Sequence, residues 1–136
     1  MLLITVCFAI FAAGRDAAVG AVYVGNATSD AVFSADVLDP ASGLGAAPLN
    51  LNTVSLTWTA TPDTYATGYR VMRSDGGVFV EIATVTPRTN TAYDDGDIGL
   101  LGLGTYSYYV VAYYESWNSV ASNTVTCTRI LILLTC

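Results

Sequence analysis

Three hydrophobic patterns follow one another along the chain. The first is an apolar run over residues 1–13, MLLITVCFAIFAA, broken by Arg15 and Asp16 and resumed over residues 17–24, AAVGAVYV. As helix the first run spans roughly 20 Å, short of a hydrocarbon core of about 30 Å. It fits the h-region of a secretory leader followed by small residues, although no Lys or Arg precedes it. If retained, it has to be packed, because a bare apolar element aggregates. Ala9, Ala13, Ala17 and Ala21 fall at spacing four, which on a helix makes a ridge of small side chains that lets two backbones approach. Leu3 and Phe8 add bulk to the same segment, so residues 1–25 are expected to be an assembly or leader segment.

The second pattern, over residues 26–47, is a linker with a short strand-like patch at Val32, Ala35, Val37 and Leu38 and turn chemistry at Asp39-Pro40 and Ser42-Gly43. The third covers residues 48–128 and has period two, with short strands separated by turn residues every 8–12 positions. Val54, Leu56 and Trp58 alternate, as do Tyr69 and Val71; Ser74-Asp75-Gly76-Gly77 turns the chain. Residues 79–85 and 89–93 are further strands. Residues 105–114, TYSYYVVAYY, are the longest β-rich run, and residues 124–128 close the series. Residues 129–136, RILILLTC, are an apolar strand that either adds to its own sheet edge or docks on a neighbour.

The third region resembles the fibronectin type III family. The residues that carry the resemblance are Val54, Leu56 and Trp58 (V-x-L-x-W), Gly68 to Val71 (G-Y-R-V), Tyr106, Tyr108, Val110 and Ala112 (Y-x-Y-x-V-x-A), and Ser122, Asn123 and Val125 (S-N-x-V). The resemblance implies an Ig-like β-sandwich in which Tyr106 is a corner tyrosine whose hydroxyl bonds the preceding loop, with Leu100 beneath that loop. Upstream, VYVGNATSDAVFSADVLDP resembles the start of camelysin-like and biofilm-matrix fibre proteins, on Phe33, Leu38 and Asp39. That resemblance implies an N-terminal strand able to complete a neighbour's sheet. The layout is also similar to type IV pilins in architecture, without the acidic residue those carry near the start of the mature helix.

Composition narrows the chemistry. The only cations are five arginines, eleven carboxylates bring the net charge to −6, and histidine is absent. No basic stripe exists to bind nucleic acid, and imidazole-based catalysis and metal sites are excluded. No catalytic, cofactor or metal residue stands out. Asp94, Asp95 and Asp97 crowd one loop and read as solvated turn residues rather than a calcium site. Cys127 and Cys136 lie nine positions apart, within reach of a hairpin disulfide in an oxidising compartment; the alternative is a buried Cys127 and a free Cys136. Asn26-Ala27-Thr28 is a glycosylation sequon. The run 105–114 is apolar on both faces, so Met72, Tyr109, Val111 and Tyr113 form a candidate interface on the outer face of the sandwich.

These readings lead to a mainly β chain, a fibronectin type III-like sandwich preceded by an apolar helix or strand. The expected role is a non-catalytic subunit of an extracellular filament or pilus, partnered by copies of itself through the N-terminal segment. The alternative is a secreted cell-surface module binding protein or carbohydrate.

Overall fold

The computed structural model describes residues 37–99 and 102–136 together with the backbone of three short strands nearer the N-terminus. The chain divides into two compact units, Met1–Val37 and Leu38–Cys136. In the first, β1 (Phe8–Phe11), β2 (Val19–Val22) and β3 (Ala31–Ser34) form an antiparallel meander in that order. Of the helix and the strand expected for the apolar segment, the described residues form strands. Ala9 and Ala21 are not steps of one helical ridge but cross-strand partners, and Phe8 stands opposite Val22. The physical reason is composition: Phe, Ile and Val favour the pleated backbone. Leu3, Ala13, Ala17 and Asn26 lie outside the described residues.

The second unit holds two sheets. One runs β4 (Ser42–Asn50), β5 (Thr53–Thr59), β8 (Ala92–Asp95). The other runs β12 (Leu133–Thr135), β11 (Val125–Ile130), β9 (Leu103–Tyr114), β6 (Gly68–Ser74), β7 (Val80–Val85), with β10 (Trp117–Asn118) pairing β9. The expected period of two is what closes the sandwich. Val54, Leu56 and Trp58 of β5 are buried, as are Tyr69 and Val71 of β6 and Tyr108, Val110 and Ala112 of β9. Trp58 meets Tyr69 edge to face at 5.3 Å between the sheets. The Tyr69 hydroxyl accepts the Thr61 N–H at 3.1 Å and donates to the Arg88 carbonyl at 2.9 Å, so its buried oxygen is satisfied. Burial raises its pKa, against the lowering effect of the Thr61 bond.

β4 crosses the expected boundary at residue 48, since its pairing with β5 begins at Ser42. Its far edge is tied by a side chain. The Asn123 amide accepts the Leu44 N–H and donates to the Leu44 carbonyl, both at 2.9 Å, imitating a strand. The upper half of β9 is finished by hydroxyls: Ser122 Oγ accepts the Val110 N–H at 3.0 Å and Ser119 Oγ the Ala112 N–H at 2.9 Å.

Several exposed apolar side chains, Leu103, Ile130, Leu131 and Ile132, gather where the β11–β12 turn meets the start of β9. Leu103 pairs with Ile130, and the Leu131 N–H donates to the Gly102 carbonyl at 2.8 Å. Leu131 sits at φ 58° and is 66% exposed. That backbone region costs a branched L-residue about 1–2 kcal/mol. Leu131→Gly is therefore expected to raise the urea-unfolding free energy by about 1 kcal/mol. A drop instead would mean that the leucine side chain contributes more than its backbone costs.

Candidate functional site

Strand parity places one set of side chains on the outer face of the larger sheet. Met72 is the register partner of Tyr109, Arg70 of Val111, and Gly68 of Tyr113. Met72, Tyr109, Val111 and Tyr113 therefore share one face, and all four are half-buried. They are half-buried because longer neighbours lean over them. The Arg70 guanidinium lies 4.9 Å from the Tyr113 ring centroid, and Phe79 packs on Tyr109 with centroids 4.5 Å apart.

Between these residues runs an open groove of about 450 Å³, lined by Arg70, Met72, Glu81, Tyr109, Val111, Asn118, Ser119 and Ala121. Its floor is apolar and its rims are polar. Arg70 ties the rims together: Nη1 donates to Glu81 Oε2 at 2.9 Å and Nε to Asn118 Oδ1 at 3.1 Å. Glu81 also accepts the Thr84 hydroxyl at 2.8 Å. The Arg70 bond, then the Thr84 bond, hold the Glu81 carboxyl below the usual range, so it is ionised at neutral pH. Such a surface offers an aromatic and thioether floor with a fixed guanidinium, carboxylate and amide around it, the mix that orients a polyhydroxylated or peptide ligand. Alternation pointed to Met72, Tyr109, Val111 and Tyr113. It also places Arg70 on the same face. Glu81 arrives through a register shift between β6 and β7, and Asn118 through the short β10, neither of which has a local signature.

Among the described residues no group of three or more His, Cys, Asp or Glu side chains could hold a metal ion. Asp95 turns inward instead, 1% exposed, and pairs with Arg73 Nη1 at 3.0 Å. It also accepts the Tyr108 hydroxyl at 2.9 Å. Among the described residues it is thus the Tyr108 hydroxyl that reaches back, to the end of β8; Leu100, expected beneath the loop that Tyr106 would cap, lies outside the described residues. The Tyr106 ring instead covers Gly104, where an added Cβ would stand 3.1 Å from its hydroxyl. Cys127 and Cys136 are joined by a disulfide, with Cα atoms 4.0 Å apart. Among the described residues no helix is long and apolar enough to cross a membrane.

No protein-family model matches the chain. An amylopullulanase of Thermoanaerobacterium saccharolyticum is 39% identical to it over 97 residues, covering 70% of this chain and 7% of that protein. An amylopullulanase of Thermoanaerobacterium thermosulfurigenes is 43% identical over 74 residues, 54% of this chain and 4% of that protein. The chain thus spans only a small part of the length of these relatives. Among solved structures, an Fn3-like protein from Clostridium thermocellum superposes with a TM-score of 0.55 at 30% identity, covering 67% of this chain and 92% of that one. An FN3 domain of human collagen XX gives 0.53 at 20% identity, over 71% of this chain and all of that one, and bears on the fold alone. None of these similarities supports the fibre-protein or pilin-like reading of the N-terminal segment.

Proposed function

The chain belongs to the fibronectin type III-like family, and from that membership we propose that it acts as a secreted, non-catalytic accessory module serving a carbohydrate-acting enzyme. The observation that carries this reading is that its sequence relatives are small segments of amylopullulanases. The contact surface is the outer-sheet groove, and its ligand is the kind of polysaccharide for which an amylopullulanase is named, amylose or pullulan. The disulfide agrees with an oxidising, extracellular setting. The filament or pilus subunit, and with it the homopolymer, finds no support among the relatives; the secreted module binding protein or carbohydrate is the reading they favour.

Electrophoresis of the native protein through gels containing amylose or pullulan tests this. Retarded migration is expected. Tyr109→Ala removes an aromatic ring that lines the groove and is expected to weaken retention about tenfold, equivalent to about 1.4 kcal/mol. Unretarded migration in both polysaccharides would remove carbohydrate as the ligand and leave protein as the partner.

A further inference from the structure

Three exposed aromatic side chains meet at the β9–β10 end of the sandwich. Trp117 is 63% exposed, Tyr65 44% and Tyr114 39%. Trp117 is the register partner of Tyr114, while Asn118 is the partner of Tyr113. By parity Trp117 and Tyr114 project from one side of this hairpin, and Tyr113 and the groove residue Asn118 from the other. Tyr65 and Tyr114 pack edge to face with centroids 5.7 Å apart. The loop that carries Tyr65 is held to the sheet by the Thr67 N–H, which donates to the Tyr113 carbonyl at 2.8 Å. The aromatic cluster is thus built on fixed backbone, and it lies apart from the groove.

A second observation comes from the hairpin loop between Tyr114 and Trp117. Glu115 occupies it at φ 51°, a conformation that favours Gly, Asn or Asp. Glu115 is exposed and is one of only two glutamates in the chain. Backbone strain of this kind, held next to exposed aromatic rings, motivates a binding role for the side chain it presents.

We propose that Tyr65, Tyr114, Trp117 and Glu115 form a second glycan-binding site, at which aromatic faces stack on the sugar rings of a neutral α-glucan and the carboxylate accepts its hydroxyl protons. The proposal rests on the carbohydrate reading above for its ligand class, but uses none of the groove residues. The chemistry selects the ligand. Each exposed ring pairs an apolar face with a polar edge, which matches a pyranose better than a wholly apolar partner. The only charged group in this set is a carboxylate, in a chain of net charge −6, so anionic glycans and phosphates are repelled. The other end of the sandwich, with exposed Leu103, Leu131 and Ile132, offers neither ring faces nor hydroxyl acceptors of this kind.

Titration of the full chain with maltoheptaose, followed by tryptophan emission, tests the site. Trp58 is buried, so a saturable change in emission reports chiefly on Trp117. Glu115→Gly suits the observed φ and keeps the fold, yet is expected to weaken binding several-fold, which a purely structural glutamate would not do. In parallel, binding read by calorimetry is expected to weaken at least about tenfold in Trp117→Ala. If Trp117→Ala and Glu115→Gly bind as the wild type does while Tyr109→Ala loses affinity, the second site is overturned and the groove stands. If the wild-type chain shows neither heat nor emission change up to millimolar sugar, both readings fall together. Loss in Trp117→Ala with normal binding by Tyr109→Ala supports this site over the groove.

Discussion

Replacing Asp95 with alanine is expected to cost the sandwich about 3–5 kcal/mol, measured as a lower midpoint in urea. The residue is 1% exposed and is the meeting point of three elements. Arg73 Nη1 of β6 donates to both carboxylate oxygens, at 3.0 and 3.2 Å. The Tyr108 hydroxyl of β9 donates at 2.9 Å, and the Asp97 N–H of the loop at 3.1 Å. Alanine strips all of these at once and leaves a guanidinium whose side chain is only 12% exposed. Arg73 keeps one partner, Asp75, itself 55% exposed. That residual pair places the loss toward the lower end of the range. Tyr108→Phe removes a single bond and is expected to cost about 1–1.5 kcal/mol. In a cycle of Arg73→Met with Asp95→Leu, the double variant is expected to be more stable than the sum of the singles allows, because it buries no orphaned charge. Strict additivity would mean that the two side chains are energetically independent.

The same cluster sets a pH limit. Burial, then the neighbouring Asp95 carboxylate, holds the Tyr108 hydroxyl far above the ordinary tyrosine value. A folded-state pKa raised in this way contributes stability that is complete below the unfolded value, about 10, and is lost as pH rises past it. Urea midpoints are thus expected to fall steadily above about pH 10. In Tyr108→Phe the curve starts lower and falls less steeply. Arg73 contributes nothing to this slope: burial disfavours its charge, but the hydrogen bonds it donates to Asp95 and Asp75 outweigh that and keep it protonated throughout.

The contrast between Asp95 and the strands around it shows what was legible in the sequence. Alternation alone located the buried faces of β5, β6 and β9, because a half-buried sheet enforces period two on its residues. The same rule places Arg73 on the inner face, two residues beyond Val71, and Arg129 on the inner face of β11, two beyond Cys127. Both are cations among core residues, and each requires a partner. For Arg129, which is 1% exposed, that partner includes the Leu51 carbonyl at the β4–β5 turn. The requirement was readable; the partner was not. Asp94-Asp95-Gly96-Asp97 has the composition of a solvated turn, and only the pairing of β8 with β5 carries Asp95 inward. The first six residues of β4, 42–47, read as a linker for a related reason. Its Gly- and Ala-rich sequence has weak intrinsic β-preference, and its extended form comes from β5 and from Asn123. The groove divides the same way: its apolar floor followed from periodicity, while Glu81 and Asn118 depend on a register shift and a two-residue strand. The aromatic end was missed because Tyr65 and Trp117 are distant in sequence and neither belongs to a periodic run.

Cutting the covalent link at the C-terminus is expected to lower stability by about 2–3 kcal/mol, the chain-entropy value for closing so short a loop. Cys136→Ser is the cleaner variant. Cys136 is exposed, whereas Cys127 is fully buried, so the substitution breaks the bond without placing a hydroxyl in the core. What the bond retains is β12, three residues long and at the edge of its sheet. It pairs with β11 through Thr128 and Thr135, Arg129 and Leu134, and Ile130 and Leu133. Leu134 reaches the core at 7% exposure, but Leu133 beside it is 60% exposed, so one inward side chain opposes the entropy of a three-residue edge strand. At about 4–8 °C per kcal/mol for a domain near this size, the wild type is expected to melt roughly 10–20 °C lower in dithiothreitol. Cys136→Ser should show that lower melting temperature in either buffer. Faster amide exchange is expected at Leu133–Thr135, with maltoheptaose affinity unchanged, because Trp117 and Tyr109 lie on other strands of the sheet. An unaltered melting temperature under reduction would show that side-chain packing alone holds β12. Loss of sugar affinity on reduction would instead mean that this edge supports the binding surfaces through the shared strand β9.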